Sequence, residues 1–141
     1  MAYIKYICKT NGEGFYDITQ NLLRTAQNDL FVDQKESGVL VLFCMHTSCG
    51  LVLNESYDPS AKDDLERFLK EIAPRNLKWI THTAEGPDDS PSHMKALLVQ
   101  SSMSLIVEDG KPMLGQWQGI FLTEFREESR ERTILMKFMK D

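Results

Sequence analysis

The seven apolar residues from Val39 to Met45 break off at His46-Thr47-Ser48-Cys49, the sharpest change from apolar to polar along the chain. A run that short and continuous predicts a strand buried on both faces, ending in polar groups that must be satisfied or used. Upstream, Tyr3, Ile4, Tyr6 and Ile7 are interrupted by lysines, the pattern of an edge strand over residues 3–9. Asn11-Gly12-Glu13-Gly14 turns the chain. Ile18, Leu22, Leu23 and Ala26 recur at helical spacing, which predicts a short amphipathic helix from Asp17, its N-cap, to about Ala26.

Gly50 separates the apolar run from a further strand, Leu51-Val52-Leu53. Asp58-Pro59 opens the clearest helix, because Asp caps free amides and Pro at the first helical position loses no hydrogen bond. Leu65, Phe68, Leu69 and Ile72 form its apolar stripe, and Pro74 ends it. Leu77 to His82 reads as a strand, and Ser90-Pro91 repeats the entry device for a helix through Ala96, Leu97 and Leu98. The last third is β structure: Ser104 to Val107, an Asp109-Gly110 hairpin turn, and strands near Gly119 to Phe125 and Thr133 to Met139. Helices between the early strands and none between the late ones predict a single α+β domain over 1–141, a mostly antiparallel sheet with two or three helices.

A chain of 141 residues suits one domain, burying about two thirds of its unfolded surface. A net charge of −5 and a pI near 5.2 argue against nucleic-acid binding, which depends on Lys and Arg neutralising phosphates. Met1-Ala2-Tyr3-Ile4-Lys5-Tyr6 is no charged-then-apolar leader, and no apolar run is long enough to span a bilayer. The expectation is a cytoplasmic protein without membrane contact. Cys8, Cys44 and Cys49 lack metal-ligand spacing, and Cys44 and Cys49 fall in or beside the apolar run. Reduced core thiols are the expectation; a nucleophilic Cys49 is the less common alternative.

All three histidines lie at element boundaries, His93 at the third position of the Ser90-Pro91 helix. His46, His82 and His93 together would supply three neutral imidazoles plus open positions, the ligand set of a catalytic zinc site. No H-x-H or H-x-x-x-H pair enforces this, and three separately hydrogen-bonded rings are the plain alternative. The positive end of the helix dipole favours a neutral His93. Glu55, Asp58, Glu85, Asp88 and Asp89 flank the histidines and suit a ligand, an orienting group or an acid–base role. Asp58 and Ser90 are equally ordinary helix caps, and Asp88-Asp89 ordinary loop residues. The hydroxyls of Thr47, Ser48, Ser101 and Ser102, the Lys95 cation and two helix N-termini suit a phosphate or carboxylate. No glycine-rich phosphate loop is present, so no nucleotide cofactor is expected. Trp117, between Gly115 and Gly119, reads equally as a stacking wall for a planar ligand or as a core residue at a bend.

Three blocks in order resemble the YjbQ-type family, small proteins catalogued as a secondary thiamine-phosphate synthase family. The first is His46-Thr47-Ser48-Cys49-Gly50-Leu51 with Asn54-Glu55 and Asp58-Pro59, followed by Asp64 to Phe68. The second is Glu85-Gly86-Pro87-Asp88-Asp89 with Pro91, His93, Lys95 and Ala96; the third is Gly115, Trp117-Gln118-Gly119-Ile120 and Glu124-Phe125. Ser56-Tyr57, Gln116 and Glu127-Glu128-Ser129 depart from the pattern and bear on the pocket lining.

The resemblance implies a YjbQ-like α+β domain, assembled as a homotrimer, whose histidine motifs form a polar pocket able to hold a divalent metal such as zinc or magnesium at His46, His82 and His93. It implies a metal-assisted enzyme acting on a small phosphorylated or anionic metabolite, with weak thiamine-phosphate synthase activity as the named reaction. Glu55, Asp58 and Glu124 are then the candidate catalytic carboxylates. Thr47, Ser48, Asn54, Lys95, Ser102, Trp117 and Gln118 are the candidate substrate contacts. Two other readings stand beside it: a non-catalytic trimeric metabolite- or metal-binding protein, and a metal-dependent hydrolase with Glu55 or Glu124 as base.

Overall fold

A computed structural model describes residues 3–141. Along them run β1 (Ile4–Asn11), β2 (Gly14–Asp17), α1 (Thr19–Asp29), β3 (Gly38–Cys44), β4 (Cys49–Glu55), α2 (Pro59–Ile72) and α3 (Asp89–Ala96). β5 (Ser102–Glu108), β6 (Lys111–Pro112), β7 (Gln118–Glu124) and β8 (Ser129–Lys140) complete the chain. The strands form a five-stranded sheet, β1-β8-β3-β5-β6, and a three-stranded sheet, β2-β7-β4, antiparallel throughout. The expected α+β class is the observed one. Among the described residues no helix is long and apolar enough to cross a membrane.

The main core lies between the sheets: Leu40 and Leu42 of β3 and Ile134 and Met136 of β8 meet Leu51 of β4, Ile120 and Leu122 of β7, and Leu22 and Ala26 of α1. A second cluster, Phe15, Phe121 and Phe125 with Leu69 of α2, covers the other side of β7. The strand buried on both faces is therefore β7. β3 alternates instead, with Val39, Val41 and Phe43 turned outward from the five-stranded sheet. Its run is apolar on both faces because the outward face is also apolar, not because protein covers it.

Two helix starts follow from their sequences. The Asp58 carboxylate accepts the Ser60 amide at 2.9 Å with Pro59 at the first helical position. Asp17 accepts the Thr19 amide at 3.0 Å, so the α1 cap is Ile18 and the helix runs on to Asp29. On α2, Leu69 is buried while Phe68 and Ile72 are exposed, which narrows the expected stripe. Residues 77–82 form no strand; they are a turn-rich connection. α3 begins at Asp89 after the cap residue Asp88, so Ser90 is inside the helix and His93 is its fifth residue, not its third.

Two glycines fix close approaches. Asp109 and Gly110 both have positive φ, 51° and 75°, as a two-residue type I′ hairpin turn needs. At Gly50, inside β4, a Cβ would come within 2.4 Å of Val99 Cγ2. Gly50 is thus not a break but the point where the segment after α3 presses on β4, with Leu51 and Gln100 exchanging backbone hydrogen bonds of 2.7 and 3.0 Å. That contact docks α3 against the end of the apolar run.

Candidate functional site

Because α3 starts at Asp89, Asp89 and His93 are one turn apart on the same helical face. His82 reaches them from the connection before α3. Asp89 Oδ2 is 2.8 Å from His82 Nε2 and 3.2 Å from His93 Nε2, and the two rings are 5.4 Å apart between centroids. One ligating atom from each residue lies within 4.8 Å of the others.

The other nitrogen of His93 decides what this cluster can hold. Nδ1 lies 2.8 Å from the Thr47 carbonyl oxygen, which can only accept, so Nδ1 carries the proton. In the neutral ring Nε2 then presents a lone pair to the Asp89 carboxylate. Lone pair against carboxylate is repulsive unless a cation lies between them, either a proton on Nε2 or a metal ion. Ligands about 2.0 Å from a tetrahedral ion stand roughly 3.3 Å apart; the two histidine–carboxylate spacings, 2.8 and 3.2 Å, are near that, and all three ligand atoms lie within 4.8 Å of one another. His82, Asp89 and His93 are therefore the group that could hold an ion.

A buried guanidinium aims the carboxylate. Arg126 donates through Nη1 to Asp89 Oδ1 at 2.6 Å, through Nε to Asp88 Oδ2 at 2.9 Å and through Nη2 to the Glu85 carbonyl at 3.0 Å. This leaves Asp89 Oδ2 for the histidines. Burial opposes the charge on Asp88, but hydrogen bonds from the Glu127 amide and Arg126 outweigh it and hold its pKa below the usual carboxylate value. By sequence Asp89 is one of five carboxylates suited to a ligand or orienting role and equally an ordinary loop residue, and Arg126 draws no attention. The D-x-x-x-H spacing is the available signal for Asp89, hidden by placing the helix start two residues late; Arg126, 37 residues away, carries no local signal.

His46 stands outside this group. Its Nε2 accepts the Thr133 amide at 2.8 Å, tying the end of the apolar run to β8. It shares with His93, Thr47 and Cys49 the wall of a cavity of about 370 Å³, while His82 borders another of about 330 Å³ with Arg75, Thr83 and Ser90. Of the three expected imidazoles, the fold brings two together and replaces the third by a carboxylate.

Burial, then the Arg132 charge, hold the His46 pKa below its ordinary 6.5. As pH falls through 6.5 the unfolded chain takes up a proton that folded His46 refuses, so this contribution to stability declines toward acid. In His46→Gln the amide oxygen can still accept from Thr133 but does not titrate. Urea unfolding at about pH 7.5 and pH 5.5 should show the stability advantage of wild type over this variant shrinking in acid; an advantage independent of pH would refute the assignment.

The remaining expected site residues divide. Thr47 contributes its carbonyl. The Ser48 hydroxyl accepts from Arg132 at 2.9 Å and is buried. Glu124 is fully buried, accepting from Arg132 Nε at 2.7 Å and from the Thr10 hydroxyl at 2.6 Å, an ion pair closed to solvent. Lys95 is buried against Glu13 at 2.7 Å and borders, with Lys70 and Arg75, a third cavity of about 580 Å³. Ser102 is exposed at the start of β5. Asn54, Glu55, Asp58, Trp117 and Gln118 lie at the opposite end of β4 from Cys49, about 20 Å along the strand. There Glu55 accepts the Tyr57 amide at 2.6 Å, Asp58 caps α2, and Trp117 packs edge-on to Tyr57 at 5.1 Å between centroids, both exposed.

The family model described as UPF0047 protein YjbQ-like matches residues 5–141. A UPF0047 protein of Methanocaldococcus jannaschii is 38% identical over 138 residues, covering 97% of this chain and 94% of that one. The YjbQ protein of Escherichia coli O157:H7 is 37% identical over 122 residues, 86% of each chain. Among solved structures, a conserved hypothetical protein of Thermus thermophilus superposes with a TM-score of 0.83 at 33% identity, covering 96% of this chain and 99% of that one.

Proposed function

This chain belongs to the UPF0047 YjbQ-like family, and on that premise we propose a metal-assisted enzyme acting on a small phosphorylated or anionic metabolite, with His82, Asp89 and His93 as its ion ligands. The observation that carries this reading is the pinned His93 tautomer: Nδ1 is committed to the Thr47 carbonyl, which leaves Nε2 to face Asp89 Oδ2 together with His82 Nε2, the three atoms within 4.8 Å of one another. Two imidazoles and one carboxylate favour a zinc-like ion over magnesium, which prefers oxygen ligands and octahedral geometry.

When bound, the ion supplies a positive centre that offsets charge building on a phosphate or carboxylate. The protein's own groups hold the rest. Arg126 fixes Asp89 and the Thr47 carbonyl fixes His93, while Arg75, on the wall that His82 borders, is held by Glu127 at 2.5 Å and Glu13 at 3.7 Å. A cavity near 330 Å³ is the size of a small metabolite site. Within this class the reaction we propose to test is thiamine-phosphate synthesis, in which a thiazole phosphate nitrogen attacks a pyrimidine-methyl diphosphate and diphosphate leaves.

A homotrimer is part of the reading. The outward face of the five-stranded sheet carries exposed Ile7, Phe43, Ile106 and Met139 interleaved with Lys5, Ser104 and Lys137, and exposed apolar groups of that size on a sheet face suit a surface that association covers. The hydrolase reading is weaker, because Glu124 is locked in its ion pair and Glu55 is at the far end of β4.

Equilibrium dialysis against zinc should give one ion per chain, with binding lost in His93→Ala while circular dichroism is unchanged. Absence of binding by the wild type would end the proposal. With ion bound, formation of thiamine phosphate from the two substrates supports catalysis; ion binding without product, and release of an unaltered metabolite, moves the balance to a binding role.

A further inference from the structure

Cys44 closes β3 in one sheet and Cys49 opens β4 in the other, both about 2% exposed, and their sulfurs are 3.5 Å apart. We propose that this pair is a peroxide-oxidisable dithiol, which closes to a disulfide between the two sheets. The inference does not depend on the metal-site reading.

Two observations separate this pair from ordinary core packing. A disulfide has an S–S length near 2.05 Å, so closure asks for an approach of about 1.5 Å, within the play of the four-residue connection 45–48, none of it in a strand. Second, Cys49 lines the cavity of about 370 Å³ shared with His46, Thr47 and His93, which gives a small hydroperoxide a path to the pair that bulk burial would deny. Among the described residues the third thiol, Cys8 on β1, has no cysteine partner; its contact is the Lys9 carbonyl. In a reducing compartment such a disulfide is transient and responsive.

The chemistry balances with a hydroperoxide as oxidant. One sulfur of the pair attacks the peroxide oxygen, the O–O bond breaks, the departing alcohol or water takes the thiol proton, and a sulfenic acid remains. The second sulfur attacks that sulfur and expels the hydroxyl, which leaves as water with the second thiol proton. Two thiols are oxidised to one disulfide and one peroxide is reduced. The bond closes the loop carrying His46, Thr47 and Ser48, so oxidation tightens the segment whose Thr47 carbonyl fixes His93.

The test uses the whole wild-type protein. After hydrogen peroxide, quenching, denaturation and alkylation, trypsin releases residues 36–62 as one peptide holding both Cys44 and Cys49, and residues 6–9 holding Cys8. The 36–62 peptide should be unalkylated and lighter by two hydrogens, about 2 Da, with Met45 sulfoxide as a separate mass increment. Cys8 should remain alkylated, and dithiothreitol should restore both labels on 36–62. Alkylation of both Cys44 and Cys49 at a peroxide excess that oxidises a free small thiol overturns the proposal, as does a sulfinic or sulfonic acid on either residue without the disulfide, or a linkage involving Cys8. Cys8→Ser should give the same peptide result; loss of the disulfide in that variant counts against the pairing.

Discussion

Glu124→Ala is expected to lower the unfolding free energy by about 3–5 kcal/mol, the cost of leaving one partner of a buried ion pair uncompensated. Arg132 is 4% exposed and spends its guanidinium on Glu124 and the Ser48 hydroxyl, so removal of the carboxylate strands a charge that cannot reach water. Burial works against the Glu124 charge, but Arg132 and the Thr10 hydroxyl outweigh it, and the pKa is held below the ordinary 4.5. The contribution is therefore complete above pH 4.5 and is lost as pH falls through the lower folded value. Arg132→Ala should cost as much, and the double variant Glu124→Leu with Arg132→Met far less than the sum of the two single costs, because no charge is then left unpaired. Denaturant unfolding of the four proteins decides it. A single-variant cost below about 1 kcal/mol would show the pair to be hydrated and free for another task. Any activity lost in Glu124→Ala is thus expected to track loss of fold.

Asp89→Asn should weaken zinc binding by about 100-fold or more, some 2.8 kcal/mol, with the chain still folded. The amide keeps the size of the carboxylate but removes the charge that both His82 Nε2 and His93 Nε2 face at 2.8 and 3.2 Å. Arg126→Met should weaken binding by about 10–100-fold without touching a ligand, since the carboxylate it aims loses its anchor. Calorimetric titration of both variants with zinc separates the two roles. Unchanged affinity in Asp89→Asn removes Asp89 from the ligand set, and unchanged affinity in Arg126→Met removes Arg126 as its positioning residue.

Local chemistry was legible along the chain wherever one residue acts on its near neighbours. Asp58-Pro59 caps and starts α2 because the capping bond spans two residues, and Asp109-Gly110 turns β5 into β6 because the turn needs positive φ at those two positions alone. The α+β class follows from the same kind of information, the order of periodic segments. Apolar content along a strand, by contrast, says that both faces avoid charge and not what covers them. Hence the double-sided burial expected of Val39 to Met45 belongs to β7, which lies between the core and α2, while β3 turns Phe43 outward.

The candidate site was half legible for a related reason. His82 and His93 announce themselves by residue type, yet which partners they meet depends on distances that no spacing encodes. A shift of two residues in the start of α3 moves Asp89 from loop to helix and onto the face of His93. Arg126 arrives from the end of β7, and His46 is drawn away by the Thr133 amide of β8. Glu124 looks like a catalytic acid by type; only the packing of two sheets gives it Arg132 and closes it off. Sequence thus determined most of the elements, the α2 cap, the Asp109-Gly110 turn and the stock of reactive groups, because those depend on covalent neighbours. Tertiary structure alone decided which groups converge and which are neutralised, because burial and pairing are set by segments far apart in the chain.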